Sequence, residues 1–74
     1  MVVTFTKHAI IRLKERGLSA EVVKDILIYP VKIEHQAGDK FAYYGRYKEK
    51  TVVIITERRR DHFTVITIFY ENYL

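Results

Sequence analysis

A single proline splits the chain into two sequence textures, and the change of period across it limits the fold more than any other feature. Pro30 is the one proline among 74 residues. Before it, apolar residues recur at helical spacing; after it, side chains alternate with a period of two. A proline at such a joint ends a helix, because the residue before it is pushed out of the α region.

The first half predicts two helices. Thr6 is placed to cap the first, its hydroxyl accepting from a free first-turn N–H. Residues 7–16 then carry Ala9, Ile10 and Leu13 on one face, with Lys7, Lys14 and Glu15 elsewhere. Gly17 ends this helix, since glycine enters the left-handed conformation without a Cβ clash. Ser19 caps a second helix over residues 20–28, where Val22, Val23, Ile26 and Leu27 form the buried arc. Glu21 in its first turn suits the positive end of the helix dipole.

The second half predicts strands. Val31, Ile33 and His35 alternate with Lys32, Glu34 and Gln36 up to a turn at Ala37-Gly38-Asp39. Phe41, Tyr43, Gly45 and Tyr47 alternate with Lys40, Ala42, Tyr44, Arg46 and Lys48, and Lys48-Glu49-Lys50 turns the chain back. Thr51 to Glu57 is β-branched almost throughout, as a strand covered on both faces would be. Arg58-Arg59-Arg60-Asp61 makes the next turn, and His62 to Tyr70 is the last strand. Short turns dictate antiparallel neighbours. The expectation is one α+β domain over residues 1–74: an N-terminal αα-hairpin packed on a four-stranded antiparallel meander, in the order ααββββ. Val2 to Phe5 can add a short edge strand.

Composition removes several chemistries. With no cysteine, disulfide scaffolds, thiol nucleophiles, iron–sulfur sites and structural zinc fingers are out. His8, His35 and His62 show no ligand spacing with one another or with a carboxylate, so neither metal nor cofactor is expected. The isolated glycines make no phosphate loop, and Ser19 is most economically a cap. No apolar run reaches the roughly 20 residues that span a bilayer, and the first residues lack the grammar of a secretory signal. The expectation is a cytoplasmic protein. Thirteen Lys and Arg against nine Asp and Glu give a net charge of +4, which permits an anionic partner without demanding one.

Three groups of residues carry the chemistry. His8, Arg12 and Arg16 lie four apart on helix one, each rotated about 40° from the last, and form one polar stripe. Paired guanidiniums bind phosphate oxygens, and histidine is the side chain that ordinarily exchanges a proton near neutral pH. A solvated helix face presents the same spacing. On the strands, Arg46 and Tyr44 share a face with Lys48 further along, while Thr67 and Tyr70 face opposite ways. Arg46 and a last-strand hydroxyl can complete a site if the helix stripe overhangs the sheet edge. Finally, six tyrosines and four phenylalanines stand among the basic residues, and aromatic faces stack bases while cations hold phosphates. Arg58-Arg59-Arg60 is the densest basic run, and equally a common way to keep a turn soluble.

The run His8-Ala9-x-x-Arg12-Leu13-x-x-Arg16-Gly17-Leu18-Ser19, then Val22-Val23, with a closing Val65-Ile66-Thr67-Ile68-Phe69, resembles the domain-of-unknown-function 4258 family over about residues 5–70. The resemblance implies the fold of RelE-type toxins, barnase, EndoU and colicin nucleases, and a small ribonuclease held inactive by an antitoxin protein. It assigns catalytic roles to His8, to Arg12 and Arg16, and to Thr67. Where the family often has tyrosine two residues after that threonine, this chain has Phe69, and Tyr70 is the adjacent hydroxyl.

The leading expectation is therefore a metal-independent endoribonuclease acting through 2′-hydroxyl attack. His8, Arg12, Arg16, Arg46, Thr67 and Tyr70 would be catalytic. Arg58, Arg59, Arg60, Lys48 and Tyr44 would bind the nucleic acid. The rivals are an RNA- or DNA-binding module without catalysis and a homodimer formed through exposed edge strands.

Overall fold

The computed structural model describes residues 1–71. A short strand, β1 (Val2–Phe5), leads into helices α1 (Lys7–Glu15) and α2 (Ala20–Ile28). Four longer strands follow: β2 (Lys32–Ala37), β3 (Lys40–Tyr47), β4 (Lys50–Arg59) and β5 (His62–Tyr70). They form a five-stranded sheet in the order β1-β5-β4-β3-β2.

Both helices start and stop where side-chain chemistry dictates. Thr6 Oγ1 accepts from the Ala9 N–H at 3.1 Å, and Ser19 Oγ accepts from the Val22 N–H at 3.2 Å, each satisfying a first-turn donor. Gly17 adopts φ +66°. The Leu18 N–H then reaches the Leu13 carbonyl and the Gly17 N–H the Lys14 carbonyl, the paired bonds of a Schellman ending. Arg16 is thereby the cap of α1 rather than its last helical residue.

Both helices pack on one face of the sheet. Ala9, Leu18, Val23, Ile26 and Leu27 join Tyr43, Val52, Ile54, Phe63, Val65 and Ile68 in one core. α2 comes down on β3 at Gly45: a Cβ there would stand 2.5 Å from Ile26 Cγ1. Glycine is required by this close approach.

The four-stranded antiparallel meander forms, and the edge strand over Val2 to Phe5 makes five; the correction is that the sheet is mixed rather than antiparallel. β2 through β5 are that meander, but β1 pairs with β5 in parallel, Val2 opposite His62 through Phe5 opposite Val65. Local turns specify only neighbours in sequence, and this pairing joins the two ends of the chain. Ile10 is also corrected: it is 45% exposed rather than part of the core. The third turn is tighter than expected, since Arg58 and Arg59 continue β4 and only Arg60 and Asp61 lie between the strands.

β5 carries one irregularity that matters below. Ile55 opposes Thr67, but Thr56 opposes Val65, so Ile66 is an extra residue. Such a bulge reverses the facing of everything beyond it. Phe63 and Val65 point to the helices; plain alternation from them would send Thr67 the same way. The bulge turns Thr67 to the open face and returns Ile68 and Tyr70 to the covered one.

Candidate functional site

His8 and Thr67, 59 residues apart in sequence, meet with Nε2 and Oγ1 3.1 Å apart. The meeting follows from how α1 begins. β1 stops opposite Val65, leaving the rest of β5 without a neighbour on that side. At this point the Thr6 N–H donates to the Val65 carbonyl, and the Thr6 hydroxyl donates to the Ile66 carbonyl at 3.1 Å. The first turn of α1 is thus tied to the bare stretch of β5, and His8 comes alongside Thr67. His8 is exposed and Thr67 half-buried. An imidazole and a hydroxyl in hydrogen-bond contact on an accessible edge can move a proton to or from a ligand.

The face of the sheet away from the helices extends from this pair. At one end, Lys32, Tyr44, Arg46 and Thr51 are among the residues around a cleft of 220 Å³. Here the Tyr44 hydroxyl donates to Glu34 Oε1 at 2.7 Å, and Lys32 Nζ lies 4.4 Å from the Tyr44 ring centroid. The tyrosine hydrogen bond, with help from the Lys32 charge, holds the Glu34 carboxyl below its ordinary pKa. The same bond, from the other side, raises that of Tyr44. At the opposite end, Glu57, Arg59, His62 and Thr64 surround a cleft of 340 Å³. These four stand directly opposite in pairs, Arg59 to His62 and Glu57 to Thr64. His62 Nε2 lies 2.8 Å from Thr4 Oγ1. Neither His62 nor Glu57 sits in a motif; the signal for this group is period-two placement on strands joined by a two-residue turn.

Residues 5–70 match the family model described as Domain of unknown function (DUF4258). The chain belongs to this family. No curated protein and no solved structure matches it. The family span runs from the last residue of β1 to the last residue of β5. It therefore includes both members of the His8–Thr67 pair and the bulge that brings them together.

The other expected site residues are not gathered around that pair. Arg12 is half-buried and bridges to Glu15 on its own helix. Arg16 caps α1, and its carbonyl accepts the Tyr70 hydroxyl at 2.8 Å. Tyr70 packs against the core, so its hydroxyl ties the end of β5 to the end of α1 on the covered side. Arg46 lies on the open face near Thr51, 3.5 Å from its Oγ1. Counted through the register, it is two strands across and four rungs along from Thr67, about 16 Å between Cα atoms.

Nor do the expected nucleic-acid contacts form one surface. Arg58 donates to the Tyr43 hydroxyl at 3.0 Å and lies over the Phe63 ring, whereas Arg59 faces the other way and binds Asp39 at 2.9 Å. Arg60 is exposed in the turn with φ +54°. Lys48 is at the far end of β4, over the Tyr47 ring, about 30 Å away for a strand of this length. The consecutive arginines are split by strand alternation and by the turn. Among the described residues no three of His, Cys, Asp and Glu come together as a metal-holding group, and no helix is long and apolar enough to cross a membrane.

Proposed function

We propose that this protein is an endoribonuclease that uses its own side chains rather than a metal, with His8 as its acid–base group and Thr67 as its partner. The reading rests on one observation: an exposed imidazole held against a hydroxyl on the stretch of β5 whose outer side β1 leaves unpaired. RNA entering there places a ribose 2′-hydroxyl against His8 Nε2, displacing Thr67 from that nitrogen. His8 takes the 2′ proton, and the 2′ oxygen attacks the adjacent phosphorus. The P–O5′ bond breaks, leaving a 2′,3′-cyclic phosphate and a 5′-hydroxyl that takes its proton from water. Thr67 Oγ1 is then free to donate to a non-bridging phosphate oxygen. Arg12 and Arg16, on the same helix, supply positive charge to the crowded phosphorus. Arg12 must leave Glu15 to do so, a small cost for a pair this open to solvent. By the same family resemblance, the protein is the toxin of a toxin–antitoxin pair.

The test is cleavage of a labelled mixed-sequence RNA in EDTA. Wild type is expected to cut, and His8→Ala to lose at least ~100-fold, the usual worth of a positioned acid–base group. Abolition of all cleavage by EDTA overturns the metal-free mechanism.

A second reading is favoured by Tyr70 and Arg46, which stand apart from His8: an RNA-binding module without chemistry. It predicts salt-sensitive binding and no cleavage by either protein.

A further inference from the structure

The sheet has two edges, and they differ. β1 is four residues long and runs directly into α1. β2 is six residues long and every one of them is exposed. Exposed apolar side chains lie along it, Val31 at 73% and Ile33 at 46%. Unpaired backbone groups on a strand of this length are a template for another strand.

The usable stretch has defined limits. Pro30 precedes it and has no N–H to give. Gln36 breaks the pairing at the far end, since His35 opposes Phe41 but Ala37 opposes Lys40. Regular strand pairing therefore runs from Lys32 to His35, with Val31 just ahead of it, and Ile33 and Glu34 are its two central positions. Lys32 and Glu34 flank Ile33 on the open face, opposite Tyr44 and Ala42. Within one chain their contact is loose: 3.5 Å, with both side chains about half exposed.

We propose that two copies of this chain associate through β2, antiparallel about a twofold axis at Ile33. Ile33 then meets its own copy, and Val31 lies opposite His35 of the partner subunit. Lys32 lies opposite Glu34 of the partner subunit, and the symmetry makes this charge pair twice. Opposite charges directly across an antiparallel ladder stabilise it, and like charges oppose it. The neighbouring twofold register, centred on Glu34, sets two carboxylates against each other and leaves both lysines without a carboxylate opposite. The charges thus decide between the two central registers that the strand limits leave open. The two five-stranded sheets become one, with all four helices on the same side. A contact of five residues on each strand is at the small end of interface sizes, so the dimer dissociates on dilution.

Sedimentation equilibrium over a wide concentration range tests this, independently of any RNA cleavage. Wild type is expected to self-associate. Lys32→Glu and Glu34→Lys, each alone, set like charges opposite and should weaken self-association about tenfold or more. An equimolar mixture of the two variants should associate again, because each then supplies the charge its partner lacks. The double variant K32E/E34K should self-associate but reject wild type. Should a single variant fail to fold by circular dichroism, the double variant, tested alone and against wild type, still decides. A wild type that stays monomeric, single variants that associate unchanged, or a mixture that fails to recover each overturns the proposal.

Discussion

The two faces of the sheet are built by different rules. On the covered face, Tyr43, Ile54, Ile68, Val52 and Val65 are fully buried, and α2 sits so close to β3 that only glycine fits beneath Ile26. On the open face, Tyr44, Arg46, Glu57, Arg59, His62, Thr64 and Thr67 stand around an apolar strip in which Ala42 and Val53 are buried and Phe69 is exposed. The covered face is fixed by volume, where a methyl group too many is felt throughout. The open face is fixed chiefly by register, which decides who stands beside whom around its small apolar strip. The hydrogen-bonded polar pairs of Glu34 with Tyr44 and His8 with Thr67 collect on or beside this face.

That contrast can be broken by substitution. Gly45→Val should cost about 1–3 kcal/mol by overpacking. Each kcal/mol lowers Tm by roughly 4–8 °C in a domain of this size, so a thermal melt reads it directly; a melt within a degree of wild type would mean α2 is free to retreat. Tyr70→Phe removes the hydroxyl held by the Arg16 carbonyl and should cost about 1 kcal/mol, with RNA cleavage at low temperature unchanged. A large fall in cleavage with no loss of stability would return Tyr70 to the catalytic set.

Smaller effects sharpen the comparison at the margins. Lys48 and Glu49 both hold positive φ, 50° and 66°, in a two-residue hairpin turn that favours Asn-Gly. Lys48→Asn with Glu49→Gly relieves the left-handed backbone and should raise stability by about 1 kcal/mol, measured by urea denaturation. On the open face, Tyr44→Phe should let the Glu34 pKa rise, followed by NMR titration of its side chain. Glu34 is held low, so its contribution to stability is present above its unfolded pKa and fades as pH falls through the folded value. Tyr44 is held high, so its contribution is present below about 10 and is lost as pH rises through its folded value. In the variant the Tyr44 contribution disappears with its hydroxyl, and the Glu34 contribution should shrink because that hydrogen bond is the main cause of its shift.

The sequence made the covered face legible because it is written in periods. Thr6, Ser19, Gly17 and Pro30 marked the ends of the helices, and alternation placed Tyr43, Gly45 and Tyr47 on one side of β3. What escaped reading was non-local or aperiodic. The parallel pairing of β1 with β5 leaves no turn in the sequence. The bulge at Ile66 has no residue type of its own, yet it decides which face Thr67 joins. His8 and Thr67 were expected to work together from family resemblance, and they are in contact. Arg46 and Tyr70 were expected beside them, but facing alone says nothing of distance along a strand, and a tyrosine hydroxyl can find a backbone carbonyl before it finds a ligand. The arginine run illustrates the same limit: a cluster in sequence is dispersed once alternate residues point opposite ways.

The parallel seam between the first and last strands also sets an order of events. The meander from β2 to β5 closes through two-residue turns, each a short loop with little entropy to lose, whereas β1 and the start of α1 must find β5 across almost the whole chain. The His8–Thr67 contact belongs to that late, long-range docking. Openings that release the N-terminal arm while the meander stays folded would therefore dissolve the site first. Under mild denaturant, activity should fade ahead of the sheet's own unfolding, and amide exchange should be faster in β1 than in β4.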